Sequence, residues 1–218
     1  SPRAGFAWTV MSDDKRSRYT VVRGGAGLFF DRVPLRAVAN ALLSAGNTTE
    51  LSLVRQTNVS LSPAQTGAPI FPNILSGVVP TTTLVNFTTI DPNLQNAYSR
   101  QASLEIEHQF GPSGTVSVGY EHLRGFNLLM QINQNVPTCA ASGNNNGCRP
   151  NPAYANNNQY SADGSSVYDG LHIALQQRYG PWGNLRVSYT YSKSFNNVGE
   201  AFFNGPIDPT DVSKDWGR

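Results

Sequence analysis

The chain has 218 residues, of which 39% are hydrophobic and 14% charged, with a formal net charge of +2 and a mean hydropathy of -0.33. This length suits one large β domain or two small ones, and the composition excludes a helical membrane protein, since no window approaches the ~18 consecutive apolar residues of a spanning helix. It also offers nucleic acid no basic face, but it does not exclude a spanning barrel, whose alternating strands average out in hydropathy.

In chain order, the first element is a hairpin: GFAWTV, a polar SDDKRSR turn, then YTVVRGGAGLFF, with Phe6 and Trp8 alternating with small residues. A long segment from about 32 to 98 follows. It holds one short helix, with Pro34 near its first turn and Leu35, Val38, Leu42 and Leu43 on one side before Gly46. The second hairpin is SLEIEHQF, a GPSG turn and TVSVGYEH. Ala102, Leu104, Ile106 and Phe110 meet Val116, Val118 and Tyr120 on its apolar side, while Ser103, Glu105, Glu107, Ser117, Gly119 and Glu121 take the polar side.

The next long segment, from about 130 to 165, is rich in Asn and Pro and carries both cysteines, Cys139 and Cys148. They are read as a disulfide closing a surface loop outside the cytosol, the alternative being two unpaired thiols. The third hairpin, LHIALQQRYGPWGNLRVSYTYSKSF, puts Leu171, Ile173, Leu175 and Tyr179 on one face with Leu185, Val187, Tyr189 and Tyr191, and His172, Arg178 and Arg186 on the other. The chain opens at SPRAGF without an initiator Met and stops at DWGR without a closing element, so it reads as a piece of a longer protein whose missing leader says nothing about location.

Short turns at 12–18, 111–114 and 180–184 alternate with the two long segments. In an antiparallel up-and-down sheet this gathers every tight turn on one edge and every long loop on the other, as in outer-membrane barrels and unlike most soluble sandwiches. Trp8, Tyr19, Phe110, Tyr179 and Trp182 fall toward the short turns, and Phe29, Phe30, Tyr120, Phe126, Tyr189 and Tyr191 toward the long loops, which reads as two aromatic belts.

The runs FTTIDPNLQNAYSRQASLEIEHQFGPSGTVSVGYEHLRG and SSVYDGLHIALQQRYGPWGNLRVSYTYSKSFNN, with SPRAGFAWTV and YTVVRGGAGLFFDRVP, resemble the barrel of TonB-dependent outer-membrane receptors, especially the carboxypeptidase-regulatory-like, Oar-type group of acidobacteria and similar lineages. The resemblance implies a large β-barrel in the bacterial outer membrane, plugged by an N-terminal domain. It further implies import of a bulky nutrient, driven by the TonB energy-coupling complex gripping a short N-terminal box. Neither plug nor box lies in this sequence, so no functional residue carries over to a numbered position. About six strands are expected here, roughly a quarter of the ~22 of plugged transporter barrels, because an open sheet with unpaired edges cannot stand in hydrocarbon.

The expected faces follow. Leu104, Ile106, Val116, Val118, Leu171, Ile173, Leu175, Leu185, Val187 and Tyr189 face outer-membrane lipid, and Glu105, Glu107, Glu121, Arg178 and Arg186 face the lumen. Glu105 and Glu107 are also a carboxylate pair of the kind a glycosidase uses, but a polar lumen wall yields the same pattern, with Arg178 and Arg186 as partners. His108, His122 and His172 lack metal-ligand spacing, Gly24–Gly27 lacks the third glycine and the helix of a nucleotide loop, and no GxSxG is present. Asn47-Thr48-Thr49, Asn58-Val59-Ser60 and Asn86-Phe87-Thr88 match the glycosylation pattern by coincidence. Asp208, Asp211 and Asp215 do not match an EF-hand.

The expectation is therefore part of a nutrient importer that is no enzyme, with no cofactor, no metal and no nucleic-acid partner, and with the ligand unidentified. Two other readings remain: a non-transporting surface barrel that binds through its loops, and a soluble secreted β-sandwich that binds carbohydrate.

Overall fold

The computed structural model describes residues 1–44, 72–73, 86–139, 145–198 and 205–217. Its strands are β1 (Arg3–Asp13), β2 (Arg18–Phe30), β3 (Phe87–Ile90), β4 (Tyr98–Phe110), β5 (Gly114–Asn133), β6 (Asn157–Arg178) and β7 (Asn184–Asn196), with one α-helix, α1 (Leu35–Leu43), after β2. All seven strands lie in one sheet, in the order β1-β2-β4-β5-β6, with β7 and β3 both against β6. The fold is all-β, and apart from β3 every pairing is antiparallel.

Residues that alternate between apolar and small or polar settle as strands because successive side chains point to opposite faces of a pleat. The register keeps that alternation intact across the sheet. Val22 pairs with Ile106, Ile106 with Val118, Val118 with Ile173 and Ile173 with Tyr189, so a continuous apolar row crosses five strands. A one-residue slip in any strand would turn its apolar set to the other face. β1 keeps step through a bulge between Thr9 and Met11, which places Phe6, Trp8 and Met11 all beside the apolar rows.

The three tight connections, at 14–17, 111–113 and 179–183, all fall on one edge. Gly111 closes the middle one at φ +77, a conformation that costs glycine no steric penalty. The long connections fall on the opposite edge, where the strands run further than the sequence suggests. β5 reaches Asn133 and β6 begins at Asn157, so the second long loop spans 134–156 and not 130–165. These extensions read as loop because Asn133, Asn157 and Asn158 are turn-forming residues, yet here their backbones pair across β5 and β6.

β3 is the seventh strand and was not expected. It pairs parallel with Asn157–Tyr160, alongside the part of β6 that extends past the β7 pairing at Ser166–Arg178. Its apolar content is too short to carry a period.

The buried core sits at this same edge. Met130, Ile132, Tyr160 and Ala37 are the buried apolar side chains among the described residues, and Tyr160 Oη accepts a 3.0 Å hydrogen bond from Asn40 Nδ2 of α1. The helix face differs from expectation: Ala37 is buried while Leu35 is 83% and Leu42 70% exposed. The helix docks through its small residue Ala37 and through Asn40, which bonds Tyr160. Gly46, proposed as its stop, lies outside the described residues, as do Asn47 and Asn58.

Elsewhere both faces of the sheet are uncovered. Trp8 is 63%, Ile106 47% and Tyr189 62% exposed, and no second sheet packs on the described strands, so a sandwich is not what forms. No described helix is long and apolar enough to cross a membrane, a test that does not touch crossing by strands.

Candidate functional site

The working surfaces are the two faces of the sheet and the loops at its long-loop edge. One face carries every residue expected to meet lipid. From the tight-turn edge upward, its rows include Leu185 beside Gln177, then Val116, Leu175 and Val187, then Ile106, Val118, Ile173 and Tyr189, then Leu104, Tyr120, Leu171 and Tyr191. His108 also lies here, its Nδ1 2.8 Å from Thr20 Oγ1. Phe110, Tyr179 and Trp182 stand at the tight-turn edge. Tyr19 and Phe29, counted in the belts from sequence, lie on the other face, since Tyr19 pairs with Gln109 and Phe29 with Ser99.

The opposite face carries Glu105, Glu107, Glu121, Arg178 and Arg186. Here the expected ion pairs are corrected: the cation that joins the two glutamates is Arg23. Its Nη1 lies 3.1 Å from Glu105 Oε1 and 2.7 Å from Glu107 Oε2. Arg178 and Arg186 sit closer to the tight-turn edge, where Arg178 pairs with Asn184 and Arg186 with Gln176. Together with Glu107, Ser117 and Gln176 they line a polar groove of about 400 Å³.

His172 Nε2 approaches Glu105 Oε2 at 3.4 Å. The ring fits there because β5 offers Gly119 opposite it, where a Cβ would come within 2.1 Å of the imidazole. The row thus reads Arg23, Glu105, Gly119, His172 across four strands. One guanidinium bridges both carboxylates, and the row forms a polar, charge-paired stripe across the sheet.

The described parts of the loop between β5 and β6, 134–139 and 145–156, are tied together by covalent and hydrogen bonds. Cys139 and Cys148 form a disulfide, and Thr138 donates through both N–H (3.0 Å) and Oγ1 (2.9 Å) to Cys148 O. Asn135 is 2% exposed. Its amide nitrogen donates to the carbonyls of Asn151, Tyr154 and Ala155, and its Oδ1 accepts from Asn151 N. Arg149 donates to Asn135 O, Ala155 O and Asn156 Oδ1. Asn86 Oδ1 takes the Asn156 N–H, tying β3 to this knot.

In 205–217, Lys214 bonds Asp208 while Asp211 and Asp215 accept from Ser213 N and Ile207 N, so the three aspartates serve the turn itself. Among the described residues no group of His, Cys, Asp and Glu is arranged to hold a metal ion. Gly24–Gly27 is plain strand, paired with Arg3–Phe6 of β1. Sequence reasoning missed Arg23, Asn135 and Arg149. Period two does place Arg23 on the polar face, but nothing local points to partners 82 and 84 residues away.

Residues 1–218 match the family model described as "Outer membrane beta barrel domain". No curated protein matches the sequence. Among solved structures, the outer membrane transporter YddB from Escherichia coli is similar in fold, with a TM-score of 0.50 at 10% identity over 83% of this chain. The chain spans 19% of that transporter's length.

Proposed function

The chain belongs to the outer-membrane β-barrel domain family and resides in the outer membrane, and from that premise we propose that it is part of the barrel of a TonB-dependent receptor that imports a bulky nutrient. The observation that carries this reading is the segregation of the sheet: one face apolar from the tight-turn edge to Leu104, Tyr120 and Leu171, the other lined by Arg23, Glu105, Glu107 and His172. A wall that is greasy outside and charged inside, with long loops gathered at one edge, suits a wide, water-filled barrel. The likeness in fold to a transporter supports transport, and the resemblance of the quoted runs to TonB-dependent receptors supports its coupling.

The proposed mechanism gives each surface a part. The lipid face is the apolar set from Leu104 to Leu185, and Glu105, Glu107, Glu121, Arg178 and Arg186 line the lumen. The long-loop edge captures the ligand, and the plug, moved by the TonB complex, opens the lumen to it. The barrel is completed by strands added at the free edges of β1 and β7, since unpaired backbone is costly in hydrocarbon.

Uptake assays decide the point. A strain expressing the full-length protein should accumulate labelled ligand only with an intact coupling complex, while surface binding persists without it. Accumulation that ignores the complex would reject the coupling. A second reading, a surface barrel that binds without transport, draws on the disulfide and the Asn135–Arg149 knot, because a loop tied at these points suits adhesion equally well. It predicts surface binding and no accumulation in either strain.

A further inference from the structure

We propose that the outward face carries a binding site for an anionic lipid of the outer leaflet, with Arg100 and Arg124 holding a phosphate of its headgroup. The inference rests on the assignment of the apolar face to lipid. The two arginines are direct cross-strand partners on β4 and β5, on the same face as Leu104 and Tyr120, and both are exposed. Like charges set directly opposite each other destabilise a sheet unless something lies between them. Among the described residues neither guanidinium has a carboxylate partner. Asp169, the acid on this face nearest in register, is already engaged: its Oδ1 accepts from Tyr120 Oη at 2.6 Å and lies 2.7 Å from His122 Nδ1.

Aromatic packing holds the pair in place. Arg100 Cζ lies 4.9 Å and Arg124 Cζ 5.1 Å from the centre of the Phe126 ring, which itself stacks on Tyr98 at 5.0 Å. Guanidiniums resting on a ring keep their N–H edges free, the geometry that grips phosphate oxygens bidentately.

Depth fits as well. From Phe110 at the tight-turn edge to Arg100 is about ten residues of one strand, and at ~3.4 Å each with a tilt of ~40° this rises ~26 Å. That is the height of the apolar band of an outer-membrane barrel, ~25 Å, so the arginines stand where hydrocarbon gives way to headgroups. Just below them Ala4, Ala26 and Ala102 make the floor of a shallow groove of about 470 Å³, walled by Leu28, Arg100 and His122. A floor of methyl groups beside Arg100, with Arg124 next to it across the strand pair, accepts an acyl chain and its phosphate together, which a soluble anion would not need.

The test uses the full-length protein in detergent, with lipid A, a phosphorylated glycolipid, as the probe, and native mass spectrometry as the readout. Wild type should carry lipid A adducts. Arg100→Gln/Arg124→Gln should bind it roughly thirtyfold more weakly, as expected for two cations lost from a headgroup contact, whereas Arg178→Gln/Arg186→Gln on the opposite face should be unchanged. Equal adducts on the Arg100/Arg124 variant, or equal binding of uncharged diacylglycerol by wild type, would overturn the site. Leu104→Trp separates the two readings through quenching by lipids brominated in their acyl chains. Quenching with indifference to the arginines rejects this site alone, and absence of quenching rejects the lipid-face assignment with it.

Discussion

Arg23 and Asp208 show how far single residues follow from their neighbours in sequence. Asp208 does so well, because its partners are local. The Lys214 ammonium, with the Thr210 hydroxyl and amide, holds its carboxyl well below the usual carboxylate range, and Lys214 is raised in return. A depressed carboxylate stabilises its segment fully above the unfolded value of ~3.9, and that stabilisation is lost as pH falls through the folded value. A raised lysine does so below ~10.4 and loses it as pH climbs past its folded value. The 205–217 segment should therefore keep its shape between about pH 5 and 8. Exchange of the Thr210 amide, corrected for intrinsic rate, should be flat over that range and faster throughout in Asp208→Ala. Arg23 follows poorly, because its glutamates come into reach only once β2 and β4 are in register across a long insertion. Alternation is a local property, so the ten apolar positions expected to meet lipid, among them Leu104, Ile106, Ile173 and Tyr189, fall on one face, while the identity of a cross-strand partner is not local.

At the scale of elements, the hairpins are legible because each is a pair of period-two runs around a short polar or Gly-Pro turn, the latter between Gln109 and Thr115 and between Arg178 and Asn184. What failed was the edge of the sheet. β3 has four residues and is held by a parallel pairing, and the ends of β5 and β6 are written in asparagine, which advertises turns. The α1 helix was found, but with its buried side misplaced: an amphipathic pattern says which residues can be buried, and the available partner, here Tyr160 with Asn40, decides which are. The loop at 134–156 is held by two devices, the Asn135–Arg149 knot and the disulfide. Closing a loop with a sequence separation of 9 constrains the open loop by about 2.5 kcal/mol. Reduction, or Cys139→Ser, should expose 139–148 to protease without changing the barrel's thermal transition, as followed by heat-dependent gel mobility. Loss of the barrel transition would mean that the loop is part of the barrel's own stability.

At the scale of the molecule, the described sheet is open at β1 and β7 and, away from the α1 edge, exposes large apolar side chains, which suits a wall and not a closed domain. On the barrel reading proposed above, the apolar face takes the place of a core and lipid is its partner, in keeping with the exposure of its residues in the protein alone. Ile106 lies near mid-height, between Val22 and Val118. In the full-length barrel reconstituted in lipid vesicles, Ile106→Arg should cost about 2–4 kcal/mol in urea unfolding, whereas Ser117→Arg, on the polar face, should change stability by less than about 1 kcal/mol. The most direct test of the lipid wall is a scan of single nitroxide labels from Ser103 to Gln109 in those vesicles, reading collision with oxygen, which concentrates in lipid, against a water-soluble nickel chelate. The account predicts strict alternation, with oxygen favoured at Leu104, Ile106 and His108 and nickel at Ser103, Glu105, Glu107 and Gln109. Uniform accessibility along the strand, or the inverse alternation, would contradict it.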